Sequence, residues 1–142
     1  MKPATEAALL RFHHHGLAVR DDASALKMLQ LLGYTLGDRV FDPIQNVQVR
    51  LCTSPDHPTV EIVQPGPSGP SPVDRLVARN AASIYHTCYE TPDLGGTLAS
   101  LEAAGLSTLA LTERAPAVLF GGRHVSFYQV DGWGVIELLE LG

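Results

Sequence analysis

Residues 12–19 read FHHHGLAV, and residues 84–90 read IYHTCYE. Each stretch is a strand-like run with a histidine near its start. His14 holds this position in the first stretch, and His86 holds it in the second. The two stretches therefore predict two strands in equivalent positions of two half-chains.

A similar spacing separates each histidine from a glutamate later in the chain. Glu61 lies in the strand-like run VEIV, 47 residues after His14, and Glu137 lies in VIELL, 51 residues after His86. Two imidazoles and two carboxylates are a donor set that one divalent metal ion can use. The repeated spacing predicts a metal site to which both half-chains contribute.

Both half-chains have the predicted element order βαβββ. An apolar stripe predicts a helix over residues 25–32 that ends at Gly33, and Pro92 and Asp93 open a second helix that ends at Gly105. The predicted strands are residues 11–19, 34–36, 47–51 and 59–64 in the first half, and residues 84–90, 106–111, 123–130 and 135–141 in the second.

The chain is predicted to form a single domain, residues 1–142, with a first module at 11–65 and a second at 83–141. The Pro- and Gly-rich segment at 66–82 connects them and contains a short helix. A unit of about 70 residues that occurs only twice indicates a pseudo-twofold domain rather than a repeat array. The predicted fold class is α+β: the paired βαβββ modules form a curved, cup-like mixed sheet with helices on its convex face.

Alternation along the strands places the candidate ligands on the concave face. Side chains of a strand point alternately to its two sides, so residues next to a ligand face the other way. Those neighbours are apolar, as a helix-packing face requires: Leu17, Val19, Val60, Ile62, Ile136 and Leu138. His14, Glu61, His86 and Glu137 are therefore expected to line the cup.

Further side chains are assigned to the substrate cavity: Gln48, Arg50, Cys88, Arg123, Ser126 and Tyr128. Arg123 follows two glycines, and it either pairs with a phosphate or carboxylate of a ligand or is an exposed arginine. Alternation predicts that His13 and His15 point away from His14, so the HHH run is not interpreted as a metal-binding tract.

Composition narrows the class of protein. The chain has 45% apolar residues, 18% charged residues and a net charge of −5, without the basic stripe of a nucleic-acid-binding protein. No apolar run reaches the roughly 18 residues of a membrane span, and residues 1–6 lack the apolar stretch of a signal peptide. Cys52 and Cys88 do not form a disulfide framework. We expect a cytoplasmic protein that acts on a small molecule and binds neither nucleic acid nor membrane.

The motifs HxGLAV, xYHxCxE and VIELLE resemble those of the vicinal oxygen chelate superfamily. This superfamily includes glyoxalase I, methylmalonyl-CoA epimerase, extradiol dioxygenases and the fosfomycin and bleomycin resistance proteins. The resemblance extends from about residue 11 to residue 141, and it is greatest for the methylmalonyl-CoA epimerase-like branch.

The resemblance implies that His14, Glu61, His86 and Glu137 are the metal ligands. Their nitrogen and oxygen atoms suit Co, Ni, Mn, Fe or Zn. Open positions on the metal would receive two neighbouring substrate oxygens, and the metal would stabilise an enolate. The second ligand is sometimes an amide in the epimerases, where this chain has Glu61. A metal-bound glutamate is the expected catalytic base, with Glu137 preferred over Glu61.

One departure concerns the third strand, from which some epimerases are thought to supply a second acid/base carboxylate. Gln48 and Arg50 are predicted to face the cup there, and neither is a base at neutral pH. Either a metal-bound glutamate acts alone, or the reaction is not this epimerisation.

The expected function is that of a metal-dependent isomerase or epimerase acting next to a carbonyl of a small substrate, such as an acyl thioester. A glyoxalase-type lyase, a keto-cyclitol or sugar epimerase, and a non-catalytic small-molecule binding or resistance protein remain open alternatives. The resemblance also implies a homodimer, with Tyr34, Phe41 and Trp133 as candidate interface residues.

Overall fold

The computed structural model describes residues 9–142, so the N-terminal stretch 1–6, interpreted above as lacking a signal peptide, lies outside the described residues. The strands are β1 (Arg11–Val19), β2 (Thr35–Leu36), β3 (Val40–Asp42), β4 (Val47–Thr53), β5 (Val60–Pro65), β6 (Ala82–Thr91), β7 (Thr108–Ala110), β8 (Ala115–Pro116), β9 (His124–Val130) and β10 (Gly134–Glu140). The helices are α1 (Ala23–Leu31), α2 (Asp74–Arg79) and α3 (Leu94–Ala103), and a short 3-10 helix spans Val118–Phe120. None of the helices between residues 9 and 142 is long and apolar enough to cross a membrane.

The ten strands form one mixed sheet. β1 and β6, the first strands of the two halves, lie side by side and antiparallel at its centre. β5 pairs in parallel with β1, and β10 pairs in parallel with β6. β4 and β2 continue the sheet on one side, and β9 and β7 continue it on the other. The predicted α+β class with a mixed sheet is confirmed, and the short strands β3 and β8 add to the prediction by pairing with β4 and β9.

Helices α1 and α3 pack on one face of the sheet, opposite to the candidate ligands. Beneath α1 lies a buried cluster of Val19, Leu29, Cys52 and Ile62. Beneath α3 lies a second cluster of Tyr128, Val130, Ile136 and Leu138, against which Leu94, Leu98 and Leu101 pack. Each large apolar side chain that is fully buried in this way contributes about 1.5–3 kcal/mol. Both helices end before glycines with positive φ, Gly33 at 88° and Gly105 at 84°, as predicted.

Helix α2 differs from the other two because it packs on the concave face. Val73 and Val77 join a buried cluster with Ala18, Val49 and Val63, which share the side of the sheet on which His14 and Glu61 lie. The connector between the modules therefore closes one end of the cup. This arrangement is possible because β4 presents valines to the cup rather than polar side chains.

Candidate metal centre

Two histidines and two glutamates meet inside the cup. His14 and His86 come from the central strands β1 and β6, and Glu61 and Glu137 come from the parallel neighbours β5 and β10. Nε2 of His14 lies 3.5 Å from Oε1 of Glu61 and 3.2 Å from Oε1 of Glu137. Nε2 of His86 lies 3.7 Å and 3.1 Å from the same two oxygens, and the two Nε2 atoms are 3.4 Å apart. The structure thus brings the four sequence-predicted ligands together from four adjacent strands.

This donor set fits a divalent cation. A regular tetrahedron with edges of about 3.4 Å has its centre about 2.1 Å from each corner, which is the length of Zn–N and Zn–O bonds. The five measured separations, from 3.1 to 3.7 Å, bracket that edge length. Oε1 of Glu137 is buried and accepts no well-formed hydrogen bond from residues 9–142, although the Nε2 atoms of His14 and His86 face it. A buried carboxylate oxygen is costly unless a cation or a proton donor satisfies it.

In the protein alone, the cluster behaves as a buried ion-pair network. Burial lowers the pKa of His14, but interactions with Glu137 and Glu61 outweigh burial and raise it to about 9. Burial raises the pKa of Glu137, but His14 and His86 outweigh it and lower the pKa to about 2. Because metals bind imidazole through a lone pair, a cation here must displace the His14 proton at neutral pH.

Two β-bulges place a second side chain beside each histidine. In the β1–β6 pairing, His13 is an extra residue on β1 and Tyr85 is an extra residue on β6. A bulge interrupts alternation, so residues adjacent in sequence can face the same side. Nδ1 of His13 lies 2.8 Å from Nδ1 of His14, and Tyr85 lines the cup beside His86. The prediction that His13 points away from His14 is therefore wrong, whereas His15 does lie on the helix-bearing face beside α1.

The wall of the cup formed by β4 is apolar. Leu51 lies opposite Glu61 in the β4–β5 ladder, whereas Arg50 lies opposite Ile62, whose side chain packs beneath α1. Gln48 shares the face of Arg50, because the two residues are two positions apart on one strand. The prediction that Gln48 and Arg50 line the cavity is wrong. It assumed that the polar face of this strand marks the cavity, whereas the polar face lies at the convex edge of the sheet.

On β9, as on β4, the residues that face the cup are the neighbours of those predicted to do so. Tyr128 packs in the cluster beneath α3, and its hydroxyl lies 3.0 Å from Oγ of Ser126 as a hydrogen-bond donor. Phe127 lies opposite Glu137 and faces the cup, where its ring meets the ring of His86 edge-on at 5.1 Å. The prediction that Ser126 and Tyr128 line the cavity is therefore wrong as well.

Cys88 and Arg123 lie near the cup, but the first is buried in the core and the second is bonded to other residues of the chain. Cys88 is fully buried, and burial, together with the carboxylates of Glu137 and Glu61, raises the pKa of its thiol far above the usual range. Arg123 donates from Nη2 to Glu90 over 2.8 Å and from Nε to the backbone oxygen of Glu140 over 2.9 Å. The two alternatives for Arg123 were a partner for a ligand anion and an exposed arginine. The structure shows neither, because the guanidinium is partly buried and already paired with Glu90 and Glu140.

The segment between β8 and β9 closes the cup. Its 3-10 helix carries Phe120, whose ring stacks on the ring of His14 with centroids 5.4 Å apart and planes at 28°. The cavity that remains next to Glu61 and Glu137 is about 20 Å³, which is room for about one water molecule. The segment therefore narrows the space beside the four ligands.

Asp42 is a cup residue that sequence reasoning missed. It lies on β3, is buried, and lines the same cavity as Glu61 and Glu137. Its Oδ1 accepts hydrogen bonds from the backbone N–H groups of Ile44 and Gln45, at 2.9 and 3.3 Å. The Asp-Pro pair signals a turn in the sequence, but only the pairing of β3 with β4 brings the carboxylate to the cup.

Residues 13–127 match the family model of the Glyoxalase/Bleomycin resistance protein/Dioxygenase superfamily. Because this match covers most of the chain, the protein belongs to that superfamily, and the resemblance to the vicinal oxygen chelate proteins is confirmed. No curated protein matches the chain.

Solved structures with the same fold include methylmalonyl-CoA epimerases. The Mycobacterium tuberculosis enzyme is 19% identical, with a TM-score of 0.75 over 96% of this chain and 92% of its own. A hypothetical protein from Bacillus halodurans is 17% identical, with a TM-score of 0.76 over 95% and 96%. A Streptomyces coelicolor methylmalonyl-CoA epimerase variant in complex with 2-nitronate-propionyl-CoA is 18% identical, with a TM-score of 0.67 over 94% and 98%. At these identities the similarity establishes the fold.

Proposed function

We propose that this protein is a metal-dependent epimerase or isomerase that acts at the carbon next to a carbonyl of a small substrate. The observation that carries the proposal is the buried convergence of His14, Glu61, His86 and Glu137. The similar structures support an acyl thioester as the first substrate class to test, because one of them is a methylmalonyl-CoA epimerase in complex with methylmalonyl-CoA. The metal would be a divalent ion of the Co, Ni, Mn, Fe or Zn group.

A divalent metal held by these four residues would supply positive charge that stabilises an enolate oxygen. We assign proton transfer to Glu137. Its lowered pKa keeps the carboxylate ionised at neutral pH, as a proton acceptor must be. A carboxylate has two oxygens, so Oε1 can face the ligand cluster while Oε2 accepts the substrate proton. Burial, followed by the charges of Glu61 and Glu137, raises the pKa of Tyr85, which leaves its phenol as a hydrogen-bond donor toward the substrate.

A one-base route fits the walls of the cup better than a two-base route. Gln48 and Arg50 face away from the cup. Asp42 faces it, but its carboxylate is engaged in its own turn, where Oδ1 accepts from two backbone N–H groups and Oδ2 accepts from Nε2 of Gln45. Glu137 would therefore both remove and return the proton, and Glu61 is the remaining carboxylate that can share this role.

A glyoxalase-type lyase is the second candidate, and Glu61 is the observation that favours it. The epimerases sometimes have an amide at this ligand position, whereas a second carboxylate allows a proton to move between adjacent substrate carbons. Keto-cyclitol or sugar epimerisation and ligand binding without turnover are distinguished from both candidates by the experiment below. The homodimer and the cytoplasmic location stay predictions.

Solvent deuterium exchange tests the proposal directly. The full chain, loaded with Zn²⁺ or Co²⁺, is incubated in D₂O with methylmalonyl-CoA, with a hemithioacetal of an α-ketoaldehyde, or with a keto-cyclitol. We expect deuterium at the carbon next to the carbonyl of one of these substrates. Glu137→Gln is expected to lower the exchange rate by about 10²–10⁴-fold, the usual contribution of a general base.

Glu140→Gln is the matched control, because Glu140 lies on the same strand but pairs with Arg114 on the outside. It should exchange at the wild-type rate, and Glu61→Gln should retain exchange if Glu137 acts alone. Loss of product but not of exchange in Glu61→Gln would favour the lyase. Tight metal binding without exchange in any substrate would reject the enzyme in favour of a binding protein, and a chain that takes up less than about half an equivalent of metal would reject the metal site itself.

A further inference from the structure

We propose that His13 is a positioning residue that fixes the tautomer and orientation of His14, and thereby sets the affinity of the site for its metal. This inference rests on the proposed metal site. His13 does not itself reach the four-ligand cluster; it acts on the far side of the His14 ring.

The β-bulge on β1 is what makes the contact possible. Regular alternation would place the two neighbouring histidines on opposite faces of the sheet. Because His13 is the extra residue of the bulge, its ring turns to the same side, and the two Nδ1 atoms come within 2.8 Å. This separation is a hydrogen-bond length, so one Nδ1 donates a proton and the other accepts it.

The position of the proton follows from what His14 must do on its other side. Nε2 of His14 points at Glu61 and Glu137, and it can bind a cation only through its lone pair. In a neutral imidazole the proton then lies on Nδ1. His14 therefore donates from Nδ1 to Nδ1 of His13, and His13 carries its own proton on Nε2.

The surroundings hold this pair of rings in place. Phe120 meets the ring of His13 edge-on at 5.1 Å and stacks on the ring of His14 at 5.4 Å. His86 has no comparable support among residues 9–142, since its Nδ1 is buried and forms no hydrogen bond with any of them. The two histidine ligands thus differ in the partner of Nδ1: that of His14 contacts His13, whereas that of His86 is unpaired among residues 9–142. We therefore expect His13 to orient the His14 ring toward the metal. Outer partners of this kind are typically worth 10–100-fold in metal affinity.

A second metal ion is the competing explanation for the same contact. Sγ of Cys88 lies within 4.8 Å of both histidines, so His14 could bridge one ion at Nε2 and another at Nδ1. The 2.8 Å separation argues against it, because two nitrogens on one tetrahedral ion with bonds of about 2.1 Å lie about 3.4 Å apart.

Metal titration of three variants tests the proposal. The full chain is stripped with a chelator and titrated with Zn²⁺ against a chromophoric competing chelator, and the Co²⁺ electronic spectrum is recorded in parallel. His13→Phe keeps a planar ring without an acceptor and should raise the Zn²⁺ dissociation constant by about 10–100-fold. His13→Asn restores an acceptor and should recover most of the loss. His15→Phe, on the same strand but the opposite face, should match the wild type in affinity and Co²⁺ spectrum.

The position of the proton can be measured in the wild type, which keeps the test valid if a variant fails to fold. In the Zn²⁺-loaded chain with ¹⁵N-labelled histidine, NMR should show Nδ1 of His14 protonated and Nδ1 of His13 unprotonated. Equal affinities of wild type and His13→Phe, or the reverse protonation, would overturn the role of His13 while leaving the metal site intact. Two bound ions, of which one is lost in both His13→Phe and Cys88→Ala, would replace it with a bridged site. A wild type that binds no Zn²⁺ would overturn both this inference and the proposed function.

Discussion

Gly16 is the residue on which the geometry of His86 depends most directly. It lies opposite His86 in the β1–β6 ladder, and a Cβ atom at this position would overlap the imidazole ring of His86. We expect Gly16→Ala to displace His86 from the cluster. The variant should lose about 1–3 kcal/mol of unfolding free energy through overpacking and bind Zn²⁺ at least about 10-fold more weakly. Chemical denaturation and metal titration measure the two effects.

Gly95→Ala provides the control for the added methyl group. Gly95 lies in α3, and its nearest neighbour would be at an ordinary contact distance of 3.8 Å. Alanine at this position should leave metal affinity unchanged and stabilise the helix by up to about 1 kcal/mol. If Gly16→Ala bound metal as tightly as Gly95→Ala, the contact between Gly16 and the His86 ring would not matter for the site.

Single residues were predictable where local alternation alone decides their direction. His14, Glu61, His86 and Glu137 follow the period of a regular strand, so the sequence places them on one face. His13 does not, because its direction depends on a bulge in the pairing of β1 with a strand about 70 residues away. At a bulge, two residues of one strand lie opposite one residue of its partner. The sequence of one strand alone does not show where this happens.

Tyr85 repeats this lesson on β6. It is the extra residue of the second bulge and faces the cup beside His86. Each bulge therefore adds one side chain beside a histidine ligand: His13 beside His14, and Tyr85 beside His86. Neither His13 nor Tyr85 was predictable as a cup residue without the β1–β6 register.

At the scale of elements, an ion-pair cluster fastens β4 to the start of α1. Asp22 is buried at the N-terminal end of α1 and accepts from Nη2 of Arg39 at 2.9 Å and from Nη2 of Arg50 at 3.2 Å. Arg50 also donates from Nη1 to the backbone oxygen of Gly37 over 2.8 Å. We expect Arg50→Gln to lower the free energy of unfolding by about 1–3 kcal/mol, because a partly buried carboxylate and a carbonyl lose a charged donor. Urea denaturation at pH 7 measures the loss.

The pH dependence of that loss has a definite sign. Burial raises the pKa of Asp22, but Arg39 and Arg50 outweigh it and lower the pKa below the usual 3.8. The stabilisation is therefore complete above about pH 3.8 and is lost as the pH falls through the lowered value. Arg114→Gln, which breaks an exposed pair with Glu140, should cost less than about 1 kcal/mol. An Arg50→Gln loss as small as that of Arg114→Gln would contradict the structural role of the Asp22 cluster.

The positions of the longer elements were predictable from the sequence. Which side chains of the outer strands β4 and β9 face the cup was not. Apolar periodicity and the glycines that end α1 and α3 were sufficient to locate both helices. β4 and β9 alternate clearly, but alternation does not say which face is inside. The polar residues of β4 suggest a cup-facing side. In the structure this polar face lies away from the cup, where Arg50 pairs with Asp22. β3 and β8 have three and two residues, which is too short for a periodic signal.

For the whole molecule, the repeat predicted the symmetry but not the closure of the cup. Two modules with matching histidines and glutamates were sufficient to predict one shared site at the centre of one sheet. The connector helix α2 also packs on the concave side, and Phe120 lines the cavity of about 20 Å³ that remains beside Glu61 and Glu137. Helix α2 lies in the connector, and the 3-10 helix of Phe120 has no counterpart in the described part of the first module, so the repeated pattern does not indicate where either one packs.

Because the site joins both halves, its titration should act on the stability of the whole domain. The pKa of His14 is raised from 6.5 to about 9, so its contribution is complete below pH 6.5 and is lost as the pH rises through about 9. The pKa of Glu137 is lowered from 4.5 to about 2, so its contribution is complete above pH 4.5 and is lost as the pH falls through about 2. Metal-free protein should therefore gain most from this pair between pH 4.5 and 6.5.

A bound metal should show the opposite trend at alkaline pH, because it competes with the proton that His14 holds up to about pH 9. At constant buffered free Zn²⁺, the difference in Tm between metal-loaded and chelator-treated protein should grow as the pH rises from 6.5 to 9. Zn²⁺ at 100 times its dissociation constant should add about 2.7 kcal/mol. His86→Gln should lose most of the Tm difference, whereas His57→Gln, at an exposed histidine, should keep it. A Tm difference that stays constant across this pH range would show that metal binding does not displace a proton from His14.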